Sequence, residues 1–187
     1  MSSRRAAIRR ERKQREKAMK SHSPVGELAR ATEQGKIDGR ALSVFITSLY
    51  LHSDFGWGAK KIIGLIEKCN AEAVRFDNDG VMFTFEFYAK KIGEKLNAVD
   101  LHQIRKTSII VEEIYNDNRN DFFLTGMSVL CTCLSSDYGY AINKSDTGRL
   151  DRLIEKCVKE YVNVLSGDMD IEGYCKRCKD EVGIDFK

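Results

Sequence analysis

The sequence has one proline in 187 residues, three histidines and one tryptophan. So little proline favours long helices over a chain of strands and tight turns. No run of about 18 apolar residues exists, so no membrane span is expected. The histidines, His22, His52 and His102, show neither His-x-x-x-His nor His-Glu-x-x-His spacing, which argues against a zinc hydrolase. No phosphate-cradling loop is present either. Gly56-x-Gly58 lacks the remaining glycine and lysine spacing of both nucleotide fingerprints. Acid pairs such as Asp77 with Asp79, or Glu112 with Glu113, read as solvated turn or helix faces. These shortages make an enzyme the least favoured class, and no cofactor or metal is expected.

The chain is 42% hydrophobic, enough for a substantial core. It is charged from Arg4 onward with no apolar segment behind, so it is not expected to carry a secretory signal. Six cysteines without such a signal imply a reducing compartment and free thiols. Cys131-x-Cys133 and Cys175-x-x-Cys178 together hold the number of thiolates that a structural zinc takes. Both pairs, however, fall in helical patterns without a glycine knuckle. Cys69 and Cys157 occupy matching apolar positions, which is core behaviour. All six therefore read as buried free thiols.

Charge is uneven. Residues 1–20 carry nine cations, Arg4, Arg5, Arg9, Arg10, Arg12, Lys13, Arg15, Lys17 and Lys20, against two glutamates, a net +7. The whole chain is +3, which leaves −4 on the remainder. The arm is built of good helix formers with almost no apolar face, so a frayed helix or disorder is expected until it meets a polyanion. It holds no aromatic residue, so it would track a phosphate backbone rather than stack on bases.

The rest reads as one helical unit used twice. Leu51-His52-Ser53-Asp54-Phe55-Gly56-Trp57-Gly58 returns in altered form as Leu134-Ser135-Ser136-Asp137-Tyr138-Gly139-Tyr140-Ala141. Each is followed by a helix containing Leu-Ile-Glu-Lys-Cys, at 65–69 and 153–157. The expected class is all-α, with a basic arm over 1–22, one unit over 23–98 and a second over 99–187. Within the first unit, Ser23-Pro24 opens a helix that Gly35 caps. Asp38 caps the next helix, which Phe55-Gly56-Trp57-Gly58 breaks. A third runs on to Phe76, Asp77-Asn78-Asp79-Gly80 is a turn, and Thr84 caps a short helix through Leu96. Val81 to Phe85 is the one β-like run. In the second unit a connecting helix covers Val99 to Asn118, and Asp121 caps as Asp38 does. The unit closes with a helix from Ile171 to Val182, in which Tyr174 matches Tyr88 and which Gly183 ends.

In each turn glycine permits positive φ, the aspartate can accept from turn amides or cap the next helix, and the aromatics wedge two helices apart. The functional alternative makes Trp57, with Phe55, Lys60 and Lys61, a partly exposed anchor for a partner.

The arginine-rich start Ser3-Arg4-Arg5-Ala6-Ala7-Ile8-Arg9-Arg10, joined to Leu51-His52-Ser53-Asp54-Phe55-Gly56-Trp57-Gly58, resembles small accessory proteins of phages and prophages in Gram-positive bacteria. Their central motif is similar to Leu-His-Asp-x-Phe-Gly-x-Gly, and Glu181-Val182-Gly183-Ile184 resembles their ending. This chain departs from the motif at Ser53 and Ser135, and at Tyr140-Ala141. The resemblance implies a non-enzymatic, phage-encoded anti-CRISPR inhibitor in the bacterial cytoplasm, binding Cas9 with its guide RNA or its DNA-binding surface. The alternative is a phage DNA- or RNA-binding accessory protein without a dedicated protein target. The departures in the second copy point to the first copy as the binding one.

The arm generates a direct expectation. Deleting residues 1–20 removes up to about nine phosphate contacts and their released counterions. Titrations of a duplex at several salt concentrations are expected to show weaker binding and a flatter salt slope. An unchanged slope would take the arm out of the mechanism.

Overall fold

The computed structural model describes residues 13, 24–72, 79–98, 110–140, 147–167 and 169–186. The described residues form helices and turns, with no strand. The helices are α1 (Pro24–Phe55), α2 (Ala59–Glu72), α3 (Asp79–Asn97), α4 (Ile110–Asp137), α5 (Thr147–Leu165) and α6 (Ile171–Arg177). A five-residue π-helical segment, Cys178–Val182, continues α6. Of the basic arm only Lys13 is described, helical and exposed. Its other eight cations lie outside the described residues.

The architecture rests on α1 and α4, which are 32 and 28 residues long and pack along each other in the same direction. Gly35 lies against the Tyr115 carbonyl and Asn118, and Gly39 against the Arg119 carbonyl and the Phe123 amide. One turn further on, Gly126 faces the Ser43 side chain, and Thr47 Oγ1 donates to Met127 Sδ at 3.0 Å. A Cβ on Gly35 or Gly39 would collide with backbone of α4. Glycine and serine at every fourth position thus let the two backbones approach along one stripe.

Several expected boundaries fall away here. Gly35 does not cap a short helix, because it is buried inside α1, where packing against α4 outweighs its low helix propensity. Asp38 is not a cap either. Its carboxylate accepts from Tyr115 Oη at 2.6 Å and from Gln34 Nε2 at 2.7 Å, and so ties α1 to α4. Burial, and then this bond, push the Tyr115 hydroxyl up to about 12. Asp121 lies within α4 and is exposed, with its carbonyl accepting from Thr125 Oγ1. Thr84 and the β-like run from Val81 to Phe85 are interior to α3, where the helical context overrides β-branched and aromatic propensity. Residues 73–78 and 99–109 lie outside the described residues, and with them the expected helix end at Phe76, much of the turn at 77–80 and the start of the connecting helix.

The remaining helices cross over. α2 and α3 pack against α4, and α5 and α6 pack against α1. The halves therefore interlock around a continuous core of Leu42, Ile46, Leu49, Met127, Leu130 and Leu134. Phe123 stacks on Tyr161 at 3.8 Å between ring centroids, 8° from parallel. Lys95–Glu155 and Lys91–Asp151 bind α3 to α5 at the surface. At the C-terminus, Gly183 (φ 80°) closes the π-helical segment, as expected of it. Ile184 is buried, and Phe186 meets Phe45 at 4.9 Å. Toward their N-termini α1 and α4 leave a groove of about 650 Å³ between Ala31, Ile37, Val111 and Tyr115.

Gly39→Ala is expected to destabilise the protein by about 1–3 kcal/mol through overpacking, despite alanine's better helix propensity. Gly93→Ala, in α3 with open space at its Cβ, is expected to stabilise by about 0.5–1 kcal/mol. Urea unfolding of both variants checks this. If the two substitutions behave alike, the close approach of α1 and α4 is not what holds the fold.

Candidate functional site

Because α1 and α4 run in parallel and in register, they end side by side, and the two turns meet. Gly56 and Gly139 both adopt φ 66°, the left-handed region that glycine enters without strain. Gly56 N–H donates to the His52 carbonyl at 3.0 Å and Trp57 N–H to the Leu51 carbonyl at 3.0 Å. In the second turn Tyr140 N–H donates to the Leu134 carbonyl at 3.2 Å. These bonds satisfy carbonyls that the last helical turn leaves free. His52 Nδ1 donates to the Trp57 carbonyl at 2.8 Å, which fixes the proton on that nitrogen because a carbonyl only accepts. The one described histidine is thus spent on holding the turn.

Four aromatic rings form the seam. Trp57 is buried at 3% exposure, and its Nε1–H donates to Tyr140 Oη at 3.1 Å. Its ring lies 5.0 Å from Tyr138 and 5.9 Å from Tyr140, while Phe55 meets Tyr140 edge-on at 5.8 Å. Of the expected anchor residues, Trp57 is therefore a wedge inside the seam and not a partly exposed anchor. Phe55 is half-buried, and Lys60 and Lys61 are exposed. Lys61 Nζ stands 3.8 Å over the Trp57 ring and covers its outer side.

The turn aspartates do something the sequence did not announce. Asp54, in the last turn of α1, pairs with Lys156 of α5 at 2.5 Å, and Asp137, ending α4, pairs with Lys68 of α2 at 3.4 Å. Each bridges to the helix that follows the other turn, in place of capping its own. The hydrogen bond from Lys156 holds the Asp54 carboxyl below the usual carboxylate range. Lys68 also lies 4.9 Å over Tyr138. Two cation-bearing helices thus flank one aromatic seam.

The cysteines sit in the core. Cys69, Cys131, Cys133, Cys157 and Cys178 are buried, and Cys175 is half-buried. Burial pushes the Cys157 and Cys178 thiols up to about 12, so both are neutral at physiological pH. Cys178 Sγ donates to the Phe45 carbonyl at 3.5 Å, and Cys175 Sγ to the Phe186 carbonyl at 3.6 Å. Cys69 is hydrogen-bonded to Cys133, which raises its thiol pKa. No cluster of three or more metal-ligating side chains occurs among the described residues. Glu112 and Glu113 are exposed in the first turn of α4. No helix is long and apolar enough to cross a membrane among the described residues.

Comparison with models of known protein families, with curated proteins and with solved structures finds no match to this chain.

The seam makes Tyr140 a structural partner of Trp57. Tyr140→Phe leaves the buried indole N–H unpaired and is expected to cost about 1–3 kcal/mol. Trp57→Ala is expected to cost about 3–5 kcal/mol by opening the seam. Chemical denaturation of both variants checks the pair. A neutral Tyr140→Phe would mean that the hydroxyl contributes nothing to the wedge.

Proposed function

We propose that the protein is a non-enzymatic binder of nucleic acid or of a nucleic-acid-handling complex, built from two related helical units and a basic arm. The observation that carries this reading is the convergence of Lys61, Lys68, Arg149, Arg152 and Lys156 on the aromatic seam where the two turns meet. Cations beside aromatic faces are the chemistry of sequence-tolerant nucleic-acid contact. The arm would add further phosphate contacts. The reading as a non-enzyme is supported by the use of His52 as a turn brace and by the exposure of Glu112 and Glu113.

Duplication is supported by the matching φ of Gly56 and Gly139, by the crossed pairs Asp54–Lys156 and Asp137–Lys68, and by the crossed packing of α2 and α5. The resemblance to phage accessory proteins makes Cas9 with its guide RNA the target to test in the bacterial cytoplasm, where the protein would act as an inhibitor.

The test is a pull-down of the full chain from a host expressing Cas9, with and without nuclease. Cas9 retained after nuclease treatment is the expected result. Recovery of nucleic acid alone would instead favour an accessory protein without a dedicated protein target. Recovery of neither would remove the reading.

A further inference from the structure

The two sides of the seam carry related cations but treat them differently. On the α2 side two of the charges are spent internally, with Lys61 over Trp57, and with Lys68 over Tyr138 and paired to Asp137. On the α5 side there is a pocket of about 510 Å³, lined by Asp54, Phe55, Tyr140, Arg149, Arg152 and Lys156. Lys156 neutralises Asp54 there. Arg152 is braced by its Nε donating to the Gly148 carbonyl at 2.6 Å, which leaves its terminal nitrogens as its remaining donors. Arg149 and Arg152 are both exposed and sit three residues apart, on one face of α5. The lining thus carries three cations against one carboxylate, with two aromatic rings in the same wall.

We propose that this pocket binds a nucleotide unit, with its phosphate on the guanidinium groups of Arg149 and Arg152 and its base against Phe55 and Tyr140. Planar guanidinium forks match phosphate oxygens in pairs, which an ammonium cannot do. The edge-to-face arrangement of Phe55 and Tyr140 at 5.8 Å gives a base an aromatic wall in place of water. The nucleotide belongs either to a single strand or to a free mononucleotide, since both present the same phosphate and ring. The assignment deepens the nucleic-acid reading above and rests on it. It also moves the binding side from the first turn and its Lys60 and Lys61 to the second turn and α5.

The test uses the full chain and fluorescence anisotropy of a labelled single-stranded oligoadenylate at fixed salt. Arg149→Gln/Arg152→Gln is expected to weaken binding about tenfold or more. The charge-matched pair Lys159→Gln/Lys176→Gln, both exposed on α5 and α6, is expected to change it less than about twofold. Arg149→Lys/Arg152→Lys keeps the charge without the fork and is expected to fall between them, which separates pocket recognition from a misfolded variant. Displacement of the oligonucleotide by AMP identifies a free nucleotide as sufficient, and failure of AMP to compete identifies a strand. Equal losses in the two glutamine pairs, or no loss in either, would overturn the pocket. A wild-type chain that binds neither strand nor duplex would overturn the functional reading itself.

Discussion

The contact on which the rest of the molecule depends is the backbone-to-backbone approach of α1 and α4 at Gly35 and Gly39, with the Ser43 side chain against Gly126 one turn further on. A side chain at any of these positions would hold the helices apart, and the apolar positions between Leu42 and Leu49 would no longer meet those between Phe123 and Leu134. The approach also fixes register. With Gly39 against Arg119 and Ser43 against Gly126, the two helices end at the same level, and only then can Trp57 reach Tyr140.

Parallel packing has an electrostatic consequence. It sets two helix N-termini together and two C-termini together, so the partial charges of the macrodipoles add at each end. The chain answers with Glu27, Glu112 and Glu113 in the first turns of α1 and α4. It places Lys68 and Lys156 on Asp137 and Asp54 at the other end. The concentration of cations at the seam is therefore partly structural. What separates a binding surface from a merely compensated one is which of those cations are already spent, and Arg149 and Arg152 line an open pocket.

Close helices also demand small polar groups that need no outside partner. Ser48, Ser128 and Thr132 are buried in the helix pair, each donating to the carbonyl four residues earlier. Thr47 instead bonds to Met127 Sδ across the interface. Cys131 and Cys133 fill the same role as small apolar groups, and burial keeps the Cys131 thiol protonated. The buried thiols serve packing, which accounts for their spacing.

The sequence by itself determined the helical class, the two glycine turns, the core character of the cysteines and the glycine that ends the last helix. Each follows from a local cause: a near-absence of proline, a φ that only glycine enters easily, or apolar spacing of three and four residues. It did not reveal that Gly35, Asp38 and Asp121 lie inside long helices. Their local propensities are those of caps, and only the facing surface of α4 or α1 makes the helical choice the lower in energy. Trp57 was legible as a wedge between helices, but its partner was not, because the ring that meets it comes from 83 residues away. The pocket at Arg149 and Arg152 was missed for the same reason. Its walls come from the end of α1, the turn after α4 and the start of α5, and the crossing of the two halves brings them together.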